Sequence, residues 1–155
     1  MNSIVETIKA SSLVVGLTDE KIEALAEIAR PVELQDQQLI TEEGTQSNYL
    51  YILKKGTLTV EKNPSDPFIL NTLEQPNLFF GEMAIIEAGA HSASIRSQGK
   101  SEVLSFHKKD LVSFFLSYPD AQMAIILNMA RQLSMRLRDA DERFVKLAKS
   151  VRQNG

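Results

Sequence analysis

The chain of 155 residues contains no cysteine, which excludes disulfides and thiolate metal sites and fits a reducing compartment. It has only two histidines, His91 and His107, far apart in sequence. No metal cluster of familiar spacing follows from them, and no metal ligand is assigned. No apolar run is long enough to span a membrane. The N-terminal stretch MNSIVETIKASS has an early acidic residue and lacks the basic-then-apolar order of a secretion signal. The expected location is therefore the cytoplasm. Internal repeats and low-complexity linkers are also missing, and the length supports a single domain with a real core. With 43% hydrophobic and 24% charged residues the composition is ordinary for a soluble globular protein, so the informative features are local ones.

A coarse pass reads helix, then sheet, then helix. Thr18 caps a segment in which Ile22, Leu25, Ile28 and Ala29 recur at helical spacing, and Arg30-Pro31 ends it. From Val32 to about Phe106 short β-rich pieces are punctuated by Gly44, Gly56, Asn63-Pro64, Asp66-Pro67, Gln75-Pro76 and Gly99. Short strands at this spacing, with no long helix between them, predict a mainly β domain built as an antiparallel barrel or jelly roll. Helical periodicity returns near Lys109. The expected layout is N-terminal helices over 1–31, a barrel over 32–108 and C-terminal helices over 109–155.

Between Phe80 and Ile95 the chain reads FGEMAIIEAGAHSASI, a glycine-led turn, a very short apolar helix and a small-residue strand. Gly81 can take φ values closed to other residues and can bring its backbone close to a ligand. The free N–H groups of Glu82, Met83 and Ala84 would then point outward at a helix start, where an anion is favoured. Glu82 suits the hydroxyls of a sugar, because a carboxylate accepts hydrogen bonds. A nucleotide combines both chemistries. Read by itself, the same stretch is also compatible with ordinary helix capping.

The stretch resembles, without a gap, the phosphate-binding cassette of the cyclic nucleotide-binding domain family, the module of catabolite activator proteins and protein kinase A regulatory subunits. Phe80, Gly81, Glu82, Met83, Ala84, Ile85 and Ile86 stand in the pattern's first seven places, and Ser92, Ala93, Ser94 and Ile95 in its last four. Upstream, EEG at Glu42 to Gly44, YLYILKKG at Tyr49 to Gly56 and LTV at Leu58 to Val60 resemble the family's first barrel strands and their turn. Downstream, Lys109 to Pro119 resembles the short helix before the family's long C-terminal helix. The likeness covers about residues 12 to 140. It implies a jelly-roll barrel with flanking helices, and cAMP or cGMP as ligand without a further cofactor.

One place departs from the pattern. Where the family has the arginine that clamps the cyclic phosphate, this chain has His91. Arginine presents a permanently charged planar fork that meets two phosphate oxygens at once. Histidine, with a reference pKa of about 6.5, is mostly neutral at pH 7. Two readings of His91 stand side by side: a weakened, pH-sensitive clamp, or a loop residue facing water in a pocket that binds nothing. A second departure is Pro76-Asn77-Leu78, where a Gly-Asp commonly precedes the cassette.

If the pocket binds, the phosphate is expected on the amides of Met83 and Ala84 and on Ser92 beside Ala93, with His91 as clamp and Glu82 on the ribose 2′-OH. The base would lie against the long helix, within reach of Gln132 or Arg136.

Met123, Ile126, Ala130, Leu133, Leu137, Ala140, Phe144, Leu147 and Val151 alternate at spacings of three and four, and Pro119 is placed to start that helix. In its first turns Ile125, Leu127 and Met129 make the helix apolar all round, so there it packs on its own barrel. Beyond Leu133 the other faces are charged, leaving a narrow stripe that fits a two-stranded parallel coiled coil. A homodimer is expected. The resemblance implies the same, because the long helix dimerises in the transcription-factor branch of the family.

The chain carries 17 basic and 20 acidic residues, yet Arg131 to Arg152 holds seven basic and three acidic. Such a run is read first as the solvated face of a coiled coil. DNA-binding relatives have a helix-turn-helix after the long helix, and this chain stops at Gly155, so sequence-specific DNA binding is not expected. Nor is catalysis: Ser92 and Ser94 beside His91 would point to different faces of a strand, and Glu82 with Glu87 makes no persuasive acid–base pair. The sequence thus predicts a regulatory cyclic nucleotide sensor acting through its C-terminal helix on an unidentified protein partner. The alternative is a dimeric scaffold that keeps the barrel and the helix and binds no ligand.

Overall fold

The computed structural model describes residues 2–62, 65–87 and 89–154. Helix α1 (Asn2–Lys9), a 3-10 turn (Ser12–Val14) and α2 (Asp19–Ile28) lead into strands β1 (Arg30–Leu34) and β2 (Leu39–Thr41). Strands β3 (Tyr49–Lys62), β4 (Phe68–Leu73) and β5 (Phe79–Phe80) follow, then the single turn α3 (Met83–Ile86) and β6 (Ser94–His107). Helices α4 (Lys108–Ser117) and α5 (Pro119–Asn154) complete the chain. The six strands form one antiparallel sheet in the order β1-β6-β3-β4, with β2 on β6 and β5 on β3. This is the mainly β, helix-flanked jelly-roll architecture that the pattern predicts. Barrel and last helices begin at Arg30 and Lys108, slightly ahead of the expected 32 and 109. The expected turn at Asn63-Pro64 lies outside the described residues.

Gly56 and Gly99 do not end strands, contrary to the reading of them as punctuation. Strand β3 runs through Gly56, and its register against β6 shifts twice there, once just before the glycine, between Leu53 and Lys55, and once across it, between Lys55 and Thr57. Gly56 has φ +107°, and a Cβ there would come within 2.4 Å of Ser101 Oγ. The glycine therefore serves a bend inside a long strand rather than a turn between two short ones. The bend lets β3 and β6 each serve both halves of the sheet, pairing Ile52 with Leu104 before it and Val60 with Ile95 after it.

Two buried clusters result. Inside the strands, Leu34, Tyr51, Leu53, Leu58, Leu73, Phe80 and Val103 pack together. Under the helices, Ile8, Leu13, Leu25, Ile52, Phe79, Phe106, Phe115, Ile125 and Met129 form the other. Pro119 opens α5 with Asp120 in its first turn, where a missing N–H and a negative charge both suit a helix start. The stripe Ala121, Ile125, Asn128 and Met129 faces inward. Asn128 fixes the docking: its amide donates to the carbonyls of Leu13 (2.8 Å) and Val15 (2.9 Å). Burying an amide among apolar residues is tolerated because the bonds are made.

At 36 residues α5 is about 54 Å long. The expected seam is split. Ile126 packs against the helical core and Leu133 is half-buried, so these two serve this chain's own fold. Met123, Ala130 and Ala140 are exposed, and Leu137, Phe144, Leu147 and Val151 are 65–70% exposed.

Candidate functional site

A short strand, a sharp turn and one helical turn shape the cassette. Gly81 sits at φ +83°, and a Cβ there would lie 2.8 Å from the Tyr49 carbonyl and 3.2 Å from the Tyr51 ring. Only glycine satisfies both constraints. Ahead of it, Asn77 takes φ +69°, a left-handed conformation that asparagine tolerates better than most residues. Its amide donates to the Leu53 carbonyl (2.7 Å), and the Leu53 amide donates to the Leu78 carbonyl (2.8 Å). Pro76-Asn77-Leu78 thus makes a hydrogen-bonded turn although the usual Gly-Asp is gone.

A cavity of about 290 Å³ opens beside this turn, close to the lower end of ligand-pocket sizes. Gly81, Glu82, Met83, His91, Ser92 and Ala93 line it, with Val60, Leu73, Phe80 and Ile95 as its apolar wall. The long helix contributes Leu133 and Arg136. Seven of the nine residues singled out for a ligand therefore meet at one cavity.

The other two do not, and both need correction. Ala84 is fully buried, and its amide donates to the Gly81 carbonyl (3.1 Å) to close the turn. It is not free for an anion. Among the described residues the amides of Glu82 and Met83 make no backbone hydrogen bond, so the orphaned donors lie one residue earlier than expected. Gln132 donates from its side-chain amide to the Phe79 carbonyl (2.7 Å) and lines a neighbouring groove instead. It holds the helix to the strand behind the cassette.

Arg136 is the link that the motif alone does not reveal. Its guanidinium bonds to the Glu82 carboxylate, and its other terminal nitrogen donates to the Phe79 carbonyl (3.2 Å). The Glu82 side chain is almost wholly buried, which a carboxylate tolerates only with a charged partner. A helix residue 54 positions downstream thus neutralises the cassette's own acid. One carboxylate oxygen carries this bond, and an ionised carboxylate can accept several more.

His91 lines the same cavity. Its amide donates to the Thr45 carbonyl (2.8 Å), and its carbonyl accepts from the Gly44 amide (2.9 Å). Half-burial pushes the imidazole below its usual value, because desolvation penalises the charged form. The neutral form is thereby favoured at pH 7. Among the described lining residues the charges are then Glu82 and the exposed Glu87 against Arg136.

The profile of the family described as "Cyclic nucleotide-binding domain" matches residues 31–118. The chain belongs to the cyclic nucleotide-binding domain family. Cyclic nucleotide-gated channel beta-3 of Homo sapiens is 29% identical over 97 residues, covering 61% of this chain and 12% of the channel. A cyclic nucleotide-binding domain from Methylobacillus flagellatus superposes with a TM-score of 0.80 at 17% identity, covering 93% of this chain and 82% of that one. The regulatory domain of Toxoplasma gondii PKA, solved with cAMP, gives 0.66 at 16% identity over 73% and 43% of the two chains. At such identities the structural likeness speaks for the fold, which the cyclic nucleotide-binding domain shares with this chain. Among the described residues no helix is long and apolar enough to cross a membrane.

Proposed function

We propose that this chain is a regulatory module that binds cAMP or cGMP weakly in the cassette cavity and passes the event on through α5. The observation that carries the reading is that the cassette and the long helix face one cavity and are joined there by Glu82 and Arg136. The phosphate is assigned to the Met83 amide, Ser92 and His91, and the ribose 2′-OH to the free oxygen of Glu82. A ligand that draws on Glu82 changes how firmly Arg136 is held, and so shifts the population of docked helix. Catalysis is not part of this reading, and the output is a protein contact in the cytoplasm.

The test is calorimetric titration of cAMP and of cGMP at pH 6 and pH 8. In the free protein the His91 pKa lies below about 6.5, so its contribution to stability is full above that value and declines as pH falls through the folded pKa. A bound phosphate acts the other way, favouring the imidazolium, so binding takes up a proton. Affinity is expected to strengthen by about threefold to tenfold from pH 8 to pH 6. Absence of heat at millimolar nucleotide at both pH values discards the sensor. The scaffold reading, which the lack of an unpaired cation among the described lining residues favours, would then stand.

Homodimerisation through the outer part of α5 belongs to the same proposal. Leu137, Phe144, Leu147 and Val151 recur at heptad spacing and are mostly exposed on a helix that has left its own core. Light scattering of Leu137→Asp is expected to report a monomer where the parent is a dimer. An unchanged dimer would discard the seam.

A further inference from the structure

Two hydroxyls in the cavity wall have no assigned task. Thr41 Oγ1 and Ser47 Oγ are buried, in residues only 5% and 4% exposed, and neither has a hydrogen-bond partner among the described residues. Both residues line the cassette cavity. A buried hydroxyl without a partner is costly, and native structures seldom keep one without a use for it.

Their placement is specific. Thr41 is paired with Ile95 in the β2–β6 register, and the Ser47 amide donates to the Gly89 carbonyl (3.2 Å). Between these two points His91 is clasped to Gly44 and Thr45 by the backbone bonds already described. The two hydroxyls therefore flank the stretch that presents His91. By contrast, the hydroxyl of Ser94, a buried residue of β6 next to the cavity-lining Ala93 and Ile95, is engaged, accepting from the Glu43 amide (2.8 Å). A missing partner is thus not a general property of the buried hydroxyls around the cassette.

We infer that Thr41 and Ser47 are ligand-binding residues, donating neutral hydrogen bonds to the anionic group that His91 faces. This rests on the cyclic nucleotide reading and names how the phosphate is held without a guanidinium. Hydroxyls suit a singly charged cyclic phosphodiester, because the one cation among the described lining residues, Arg136, is already paired with Glu82. Each hydroxyl rotates to donate where an oxygen is placed. Two such bonds partly replace one bidentate fork, with less dependence on charge and on salt.

Thr41→Val and Ser47→Ala, made in the full chain, test the assignment by nucleotide titration and by thermal melting without nucleotide. Each substitution is expected to weaken cAMP or cGMP binding by about threefold to tenfold, while the ligand-free melting temperature holds or rises. Affinity equal to that of the parent overturns the inference. So does a ligand-free melting temperature lowered by about 2 °C or more, which would mean that the hydroxyls serve the fold. Should the parent bind neither nucleotide, the cyclic nucleotide reading fails separately. Melting then decides: a rise in both variants keeps the hydroxyls as groups held for another polar ligand, and a fall removes them.

Discussion

Arg136→Ala is expected to lower the unfolding free energy by about 2 to 3 kcal/mol, and melting by roughly 5 to 10 °C. The reason is Glu82 rather than the arginine itself. The Glu82 side chain is 2% exposed and the Arg136 side chain 37%, so deleting the arginine leaves a buried carboxylate with nothing to balance it. An orphaned buried charge costs about 3 to 5 kcal/mol. The figure is reduced here because one end of the pair reaches water and is screened. The Phe79 carbonyl loses one of its two donors and keeps Gln132. Arg136→Lys is expected to recover part of the loss, because an ammonium reaches the carboxylate but cannot also span to Phe79. Glu82→Gln should soften the effect of Arg136→Ala, and a double-mutant cycle of the two gives their coupling. Chemical denaturation of the four proteins is the measurement. A loss below about 0.5 kcal/mol for Arg136→Ala would place the pair among surface bridges and remove the link between cassette and helix.

How much of this was legible in the sequence depends on whether a feature is local. The cassette was, because Gly81, the apolar turn after it and the small-residue strand lie within one short stretch and each has a local reason. The start of α5 at Pro119 was legible for the same reason, and so was the outer stripe, whose periodicity needs no knowledge of the barrel. The partner of Glu82 was not. Nothing in the composition near residue 136 sets Arg136 apart from Arg131 or Arg138, and only the docking angle of the helix brings that one to the cavity. Helix spacing puts Gln132 near the site, but spacing does not say which polar group a side chain will meet, and this one meets the Phe79 carbonyl. Thr41 and Ser47 carry no signal at all in the sequence. They are ordinary hydroxyl residues whose meaning comes from burial without a partner. Gly56 misled for a physical reason: a glycine that permits a bend inside a strand and one that ends a strand look alike until the opposite strand, with Ser101, is in place. Leu133 shows the same limit, since its heptad position is shared with residues that are exposed while it turns over the cavity.

His91→Arg is expected to tighten cyclic nucleotide binding by about 10- to 100-fold, the equivalent of roughly 1.5 to 3 kcal/mol for a charge-assisted bond regained. The position is prepared for it: His91 lines the cavity on a wall held by backbone bonds to Gly44 and Thr45, so a longer side chain there projects into the same space. Burial drives the parent imidazole toward its neutral form, whereas a guanidinium keeps its charge throughout the accessible range. The variant should accordingly lose the pH dependence of the parent, binding alike at pH 6 and pH 8. This second readout separates the clamp from a mere change in loop packing, which would move affinity without flattening the pH profile. Without nucleotide, Glu82 is held by Arg136 and the other described lining carboxylate, Glu87, is exposed and screened by water, so the ligand-free variant should melt slightly below the parent and gain more from saturating nucleotide. Titration of cAMP and cGMP at both pH values, with melting in parallel, checks all three expectations. Equal affinity in parent and variant would mean that the phosphate does not sit where His91 faces. A gain that persists with the parent's pH slope would mean that another group in the cavity, not residue 91, takes up the proton.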